Sequence, residues 1–351
     1  SGYGEQTRFA LRALRSREDL FDIYILPLTW GQTGWVWEVS EFRQWMDQRI
    51  LETQLKLQEK SLNLDISLQV TIPNEFEKIC PVNIGYTAGI ECDRVSPQWL
   101  LKGNDEVDKI LVVGTHAKTT YESTIAEATH KQTGETFPYR LNTPVEVVWE
   151  NTPRAEPEVI PGFDPVCDFN FLIVSQMSTR KNFQNTISWW VEEFIDQEVG
   201  LIVKTNLKKN NLRDCAETEI FLKNILNKYP DRKCKIYLLH GDMTTEELTS
   251  LYNHPKIKCM VSLTHGEGYG LPLFEAAYNG LPIIAPGWSG QVDFLYAMVP
   301  GPGGGKAKMR ALFNEVMYDV SPVQKDSLWK GVIEEGSMWC YPQEGSFKMQ
   351  L

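Results

Sequence analysis

Lys258 to Phe294 reads KCMVSLTHGEGYGLPLFEAAYNGLPIIAPGWSGQVDF, and its residue types fall in the order strand, glycine loop, helix, strand, loop. Cys259 to Leu263 is a short apolar run of strand type. Gly266, Gly268 and Gly270 follow, and a loop with three residues lacking Cβ lets its backbone approach a ligand closely. Pro272 fits a first helical turn, where its missing N–H costs nothing, and Gly280 fits a helix stop. Leu281 to Ala285 is the next buried strand. Where such a loop opens a helix, unclaimed N–H groups and the helix dipole converge into an anion site. Glu267 in the loop and Glu275 on the helix add two carboxylates, eight positions apart. Amides for phosphate beside acids for hydroxyls suit a ligand of the sugar-nucleotide kind.

The alternation extends over the rest of the chain. Before the quoted unit come a strand at Asn170 to Ser175, a helix at Asn185 to Phe194, a strand at Gly200 to Thr205 and a helix at Glu217 to Lys228. A strand at Lys235 to Leu239 and a helix at Thr245 to Tyr252 complete that series. The first part reads as a helix at Gly4 to Arg15 entered from a glycine loop, then a strand at Asp22 to Leu28. Trp30 to Trp35 is a loop, Ser40 to Lys60 a helix, and Leu64 to Ile72, Asn83 to Ala88 and Lys109 to Val113 are strands, with a helix from about Ala117. His130 to Leu141 is polar with a Thr-Gly turn and reads as a hairpin or an excursion. Pro300 to Lys306, PGPGGGK, reads as a flexible loop. This order predicts an α/β fold with parallel, doubly wound sheets. The Pro- and Glu-rich run ENTPRAEPEVIPGF, 150–163, is the predicted linker. The expected division is residues 1–150, residues 151–320, and a segment 321–351 that caps the second domain and passes a helix back to the first.

A chain of 351 residues suits two domains, and a hydrophobic fraction of 42% with 23% charged residues is that of a soluble globular protein. No run of eighteen apolar residues is present to span a membrane, and no secretory signal is visible. The chain opens on Ser1 without an initiator Met, which leaves room for residues upstream. Seven scattered cysteines without a Cys-x-x-Cys pair fit free thiols in a reducing cytoplasm and argue against zinc. A net charge of −11 argues against a broad nucleic-acid-binding face, though not against a local basic patch. Lys204, Lys208, Lys209 and Arg213 are one such cluster. No Asp-x-Asp occurs, so no metal ligand set is expected.

The segment HGEGYGLPLFEAAYNGLPIIAP resembles the Glu-x7-Glu signature of retaining, GT-B-fold glycosyltransferases, chiefly glycosyltransferase family four. Other segments resemble that family in matching order. SGYG at the start is similar to its N-terminal glycine loop, and VSQMSTRKN, 174–182, to its phosphate-binding lysine segment. LLHGDMTTEELTSLY, 238–252, resembles the segment before the signature. IGYTAGIECDRVSPQW with DKILVVGTHAK, 84–118, resembles the end of the acceptor domain. The C-terminal SPVQKDSLWKGV is similar in style to phage-encoded transferases.

The resemblance implies a GT-B fold of two Rossmann-like domains facing a cleft, and a nucleoside-diphosphate sugar (UDP- or GDP-linked) as co-substrate. It implies that Glu275 binds the ribose hydroxyls and Glu267 the donor sugar. Backbone N–H groups of Gly268, Tyr269, Gly270 and Leu271 would hold sugar and diphosphate, and Arg180 and Lys181 would neutralise the leaving diphosphate. Gly2 and Gly4 would approach the phosphates from the opposite domain, and His240 with Gly241 would lie near the base. Relatives carry an additional arginine where this chain has Ser175-Gln176, and Arg180 is the substitute. They also carry a histidine in the N-terminal half, for which His116 is the candidate. Glu91 reads either as an acceptor-side carboxylate or as a surface acid. The expected activity is hexose transfer to an acceptor hydroxyl with retention, without an essential metal, in the cytoplasm. The acceptor is a glycan, a small molecule or, for a phage enzyme, hydroxymethylated bases in DNA. A nucleotide-sugar epimerase and a catalytically silent sugar-binding protein are the other readings.

Overall fold

The computed structural model describes residues 2–28, 39–130, 132–301 and 305–351. The Trp30 to Trp35 loop, Ser1 and the tip of the Pro300 to Lys306 segment lie outside the described residues.

The first half contains α1 (Gly2–Arg15), α2 (Glu41–Gln58), β1 (Ile66–Val70), β2 (Val82–Thr87), α3 (Pro97–Glu106), β3 (Lys109–Val112) and α4 (Thr115–Ser123). A hairpin of β4 (Ala126–Thr129) and β5 (Thr136–Tyr139) follows, then β6 (Val145–Val147). Its four-stranded sheet has the order β1-β2-β3-β6, parallel throughout. Phe76, Trp99, Leu100, Ile110, Val112 and Tyr121 form its core.

The second half runs β7 (Asn170–Val174), α5 (Phe183–Glu193), β8 (Gly200–Thr205), α6 (Leu212–Leu226), β9 (Lys235–His240), α7 (Thr245–Tyr252), β10 (Ile257–Val261), α8 (Leu271–Tyr278), β11 (Ile283–Pro286) and α9 (Val292–Leu295). Next come an antiparallel ribbon of β12 (Tyr296–Gly301) and β13 (Gly305–Ala311), then β14 (Asn314–Val316), β15 (Tyr318–Pro322), β16 (Met338–Pro342) and α10 (Glu344–Gln350). The six-stranded sheet has the order β14-β11-β10-β7-β8-β9, again parallel. Read from β9, this half's strands stand third, second, first, fourth, fifth, sixth, the Rossmann order. All five residues of β7 are buried. Phe171 and Ile173 enter the core under α5 and α6, while Leu172 and Val174 enter the core on the other face under α7 and α8. Helices on both faces turn the two-residue alternation of a strand into a continuous apolar run.

The fold is α/β, two parallel-sheet halves meeting at a seam in the GT-B plan; the second half has the Rossmann order, and the first half's described strands run in sequence order. Several local expectations change. Residues 22–28 form no strand; Ile25 N–H donates to Thr53 Oγ1 of α2 at 2.9 Å, so the segment lies along a helix instead of entering the sheet. An apolar run alone does not distinguish these two fates. Gly2 and Gly4 lie within α1 rather than in a glycine loop, because the helical pattern that buries Gln6 reaches back to residue 2. Pro300 and Lys306 belong to the β12–β13 ribbon. The terminal helix does not return to the first half: Phe347 packs in the second half's core and Lys348 pairs with Glu192 of α5 at 2.8 Å. It is the preceding segment, through Val323 and Trp339, that packs on the first half.

Candidate functional site

Strand order reverses between β7 and β10, so the loops leaving their carboxyl ends diverge to opposite faces and leave a crevice. The loop after β7 carries Arg180 and Lys181; the loop after β10 carries Glu267. The first is a tight turn over 179–181 that ends on Asn182 at φ 52°, a left-handed position that Asn tolerates. The second is tied to it by His265 N–H donating to the Arg180 carbonyl at 2.8 Å. Lys181 Nζ donates to Glu267 Oε1 at 2.6 Å, and Arg180 Nη1 donates to Glu267 Oε2 at 3.1 Å and to the Gly266 carbonyl at 2.5 Å. Arg180 Nη2 also lies 3.5 Å from Glu91 Oε1 of the first half. Glu267 is fixed through its backbone as well, its N–H donating to Ser289 Oγ at 2.7 Å and its carbonyl accepting from Gly290 N–H at 3.0 Å. Burial alone would raise the Glu267 carboxyl; Lys181 and Arg180 overcome that and hold it down at about 2.

The glycines of this loop have a use that the sequence reading did not assign. A Cβ on Gly266 would overlap the Glu91 carbonyl oxygen, and one on Gly268 would overlap that of Ala88. The loop after β2 therefore sits directly on the glycine loop, and the two halves are closed against each other here. Gly270, at φ 95°, precedes α8, whose first-turn N–H groups no preceding carbonyl within the helix can claim. Tyr269 turns its ring into the seam, packed with Tyr86 and Val113 of the first half. Beside Lys181 a cavity of about 10 Å³, lined in part by Ser175, Thr186 and Ser262, has room for one water.

Glu275, on α8, accepts from the Tyr252 hydroxyl at 2.8 Å. Burial raises its carboxyl to about 7; Glu5 of α1 adds to the rise, and Tyr252 and Lys204 oppose it. Glu150 at the end of the first half feels Glu5 and Glu275, and burial pushes it up to about 8. Its Oε1 and both amide atoms of the fully buried Gln6 have no hydrogen-bond partner among the described residues. Such groups cost about 1–3 kcal/mol each when left unmatched.

Four of the predicted site residues, Glu267, Arg180, Lys181 and Glu91, thus form one contiguous ion cluster. His240 and Gly241 lie two strands away at the end of β9. His240 Nε2 is 2.7 Å from Asp214 Oδ1, and Asp214 also accepts three backbone N–H groups from Leu207, Lys208 and Lys209. Burial would raise Asp214, but these four contacts hold it well below the carboxylate range. A Cβ on Gly241 would overlap the Asn210 side chain. His116 Nε2 contacts the Cys92 carbonyl at 3.0 Å, and burial lowers its pKa, so it is neutral near pH 7. Sequence reasoning missed Asp293, which lay inside the quoted stretch. Its Oδ2 accepts from Thr115 N–H at 2.7 Å and from the Trp149 ring N–H at 2.9 Å, linking the halves. It also missed Gln6 and Glu150, for which only burial supplies the signal. Among the described residues no cluster of three or more His, Cys, Asp or Glu is placed to hold a metal, and no helix is long and apolar enough to cross a membrane.

No family model and no curated protein matches the sequence. Among solved structures, the chain is similar to the sucrose-phosphate synthase of Thermosynechococcus elongatus, at TM-score 0.46 and 14% identity over 75% of this chain and 66% of that one. It is similar to HepE of Anabaena, solved with UDP and glucose, at TM-score 0.41 and 14% identity over 63% of this chain. The pneumococcal O-GlcNAc transferase GtfA, solved with UDP and GlcNAc, aligns at TM-score 0.42 and 13% identity over 72% of this chain. The chain spans 57% of the length of HepE and 49% of that of GtfA.

Proposed function

We propose that this protein is a glycosyltransferase that moves a hexose from a UDP- or GDP-sugar to an acceptor hydroxyl with retention. The observation that carries the reading is the meeting of Arg180, Lys181 and Glu267 at the strand-order reversal, beside the N-terminus of α8. In this reading residues 1–150 serve the acceptor, 151–320 bind the donor, and 321–351 are shared between the halves.

Donor binding opens the seam and exchanges partners. The diphosphate takes Lys181, Arg180 and the first-turn N–H groups of α8, and Glu267, released from the cations, accepts from donor-sugar hydroxyls. Glu275 accepts from the ribose hydroxyls. The acceptor oxygen attacks the anomeric carbon as the bond to the diphosphate oxygen breaks. The acceptor proton passes to that leaving oxygen on the same face, giving glycoside and nucleoside diphosphate. The two cations and the helix dipole stabilise the charge that develops on the leaving group, the role a metal takes in other transferases. His240 and Gly241 border the base, and Glu91 and His116 face the acceptor side.

Thermal-shift titration with UDP-, GDP- and ADP-sugars, followed by mass detection of products on candidate acceptors, tests the reading. We expect stabilisation by one nucleotide class and a product heavier by one hexose. Free nucleotide released without a glycosylated product would favour an epimerase; binding without turnover would favour a sugar-binding protein.

A further inference from the structure

The β12–β13 ribbon is rooted at the seam and then leaves the body of the protein. At its base Leu312 N–H donates to the Leu295 carbonyl at 2.8 Å, directly after α9, the helix that bears Asp293. Tyr296 anchors it by its hydroxyl to Glu315 at 2.7 Å and by its ring edge against Phe313. Beyond that root both faces meet solvent, with Met298 59% and Met309 61% exposed and Lys306, Lys308 and Arg310 all exposed. A two-stranded ribbon of this kind has no core of its own.

Its charge sets it apart. Residues 296–311 hold three cations and no acid, in a chain of net charge −11. None of the three cations enters an ion pair with a described residue. The register sorts the side chains. Arg310 pairs with Ala297 and Lys308 with Val299, so the two cations share a face; Met298 pairs with Met309 on the other. Lys306 lies opposite the register shift between Val299 and Gly301, near the tip.

We propose that this ribbon is a docking arm for a nucleic-acid strand, with Lys306, Lys308 and Arg310 on its phosphates. Alternate residues of a strand advance about 6.8 Å, which matches two nucleotide steps of about 3.4 Å. The register thus offers cations on one face and thioethers on the other. A nucleic acid, which has phosphates outside and apolar base and sugar surfaces within a groove or along a single strand, receives both. The acidic balance of the chain disfavours contact over most of the remaining surface. The proposal does not require sugar transfer.

The test is fluorescence anisotropy of labelled 20-nucleotide single-stranded and duplex DNA with the full chain, from about 50 to 200 mM salt. Wild type is expected to bind at least one of them in the roughly micromolar to 100 micromolar range of non-specific complexes, with a log–log salt slope of about −2 to −3. The triple variant Lys306→Gln, Lys308→Gln, Arg310→Gln should bind at least tenfold more weakly with a flatter slope, while Lys308→Arg with Arg310→Lys keeps binding. Thermal unfolding and nucleotide-sugar titration of the same samples report on the body and the cleft. Loss of donor binding with DNA binding intact counts against the transferase reading alone. The ribbon proposal is overturned if wild type binds neither DNA, if it binds phosphatidylserine vesicles instead, or if the triple variant binds DNA like wild type.

Discussion

Glu267 stands between two cations, Lys181 at 2.6 Å and Arg180 at 3.1 Å, and is 9% exposed at its side chain. Glu267→Ala leaves Lys181 without its carboxylate partner in a buried site, while Arg180 keeps Glu91, so the unliganded protein should lose about 3 kcal/mol in urea unfolding; an unchanged midpoint would contradict the ion cluster. Lys181→Ala has a different signature. It removes a charge used as the diphosphate departs, so kcat should fall by about 10²–10³ with a smaller change in donor KM. Glu275→Ala should instead weaken donor binding about tenfold, and full activity in both variants would sink the assigned roles. Gly266→Ala places a methyl into the Glu91 carbonyl, where both sides are backbone and neither yields easily. A loss of about 1–3 kcal/mol is expected, read by the same unfolding curves. The glutamate pair and the Arg-Lys pair were legible as residues in the sequence. Their mutual contact was not, because 86 positions separate Lys181 from Glu267.

At the level of elements, the second half was readable almost strand by strand, since strands buried on both faces are short unbroken apolar runs. The helices α5 to α8 were readable because polar turns and caps bracket them. Thr244 and Glu247 form a full capping box at the start of α7. The ribbon escaped notice because its sequence, rich in Gly, Pro, Lys and Met, has neither strand alternation with a buried face nor a core to face. α3 was not assigned, although Pro97 stands in its first turn as Pro272 does in α8. The join between α9 and α4 is a prediction at this scale. Asp293 serves both the first turn of α4 and Trp149, so Asp293→Ala should reduce stability by about 1–2 kcal/mol, allowing for its partial exposure. Faster amide exchange at residues 115–118 and 148–151 should accompany it; unchanged exchange there would mean that the contact does not hold the halves together.

For the whole molecule, the seam sets the pH response. Glu275 and Glu150 are raised to about 7 and about 8, chiefly by burial, with Glu5 repelling both and Glu275 adding to the rise at Glu150. A carboxyl raised on folding favours the folded state while protonated; that advantage is complete below the ordinary carboxyl range and fades as pH climbs through 7 and 8. Glu267, held at about 2, acts in the opposite sense, stabilising above the ordinary range and losing that contribution as pH falls toward 2. The unliganded protein should therefore be most stable near the ordinary carboxyl range, about pH 4–5, and its Tm should fall as pH rises from about 5 to about 8. Glu150→Gln should flatten that fall. A Tm constant over this range in the wild type would show that the buried acids do not titrate with folding.

The sequence by itself determined the α/β character, the strand–loop–helix unit around Glu267 and the chemical types available there, because periodicity, glycines and caps act over a few neighbouring residues. Only the tertiary structure decided which loops meet. Strand order places 175–182 against 264–270, and the approach of the two halves turns Gly266 and Gly268 toward a neighbouring backbone. Burial, which moves Glu275 and Glu150 up and lets paired cations hold Glu267 down, belongs to the assembled seam, since desolvation is a property of everything packed around a group.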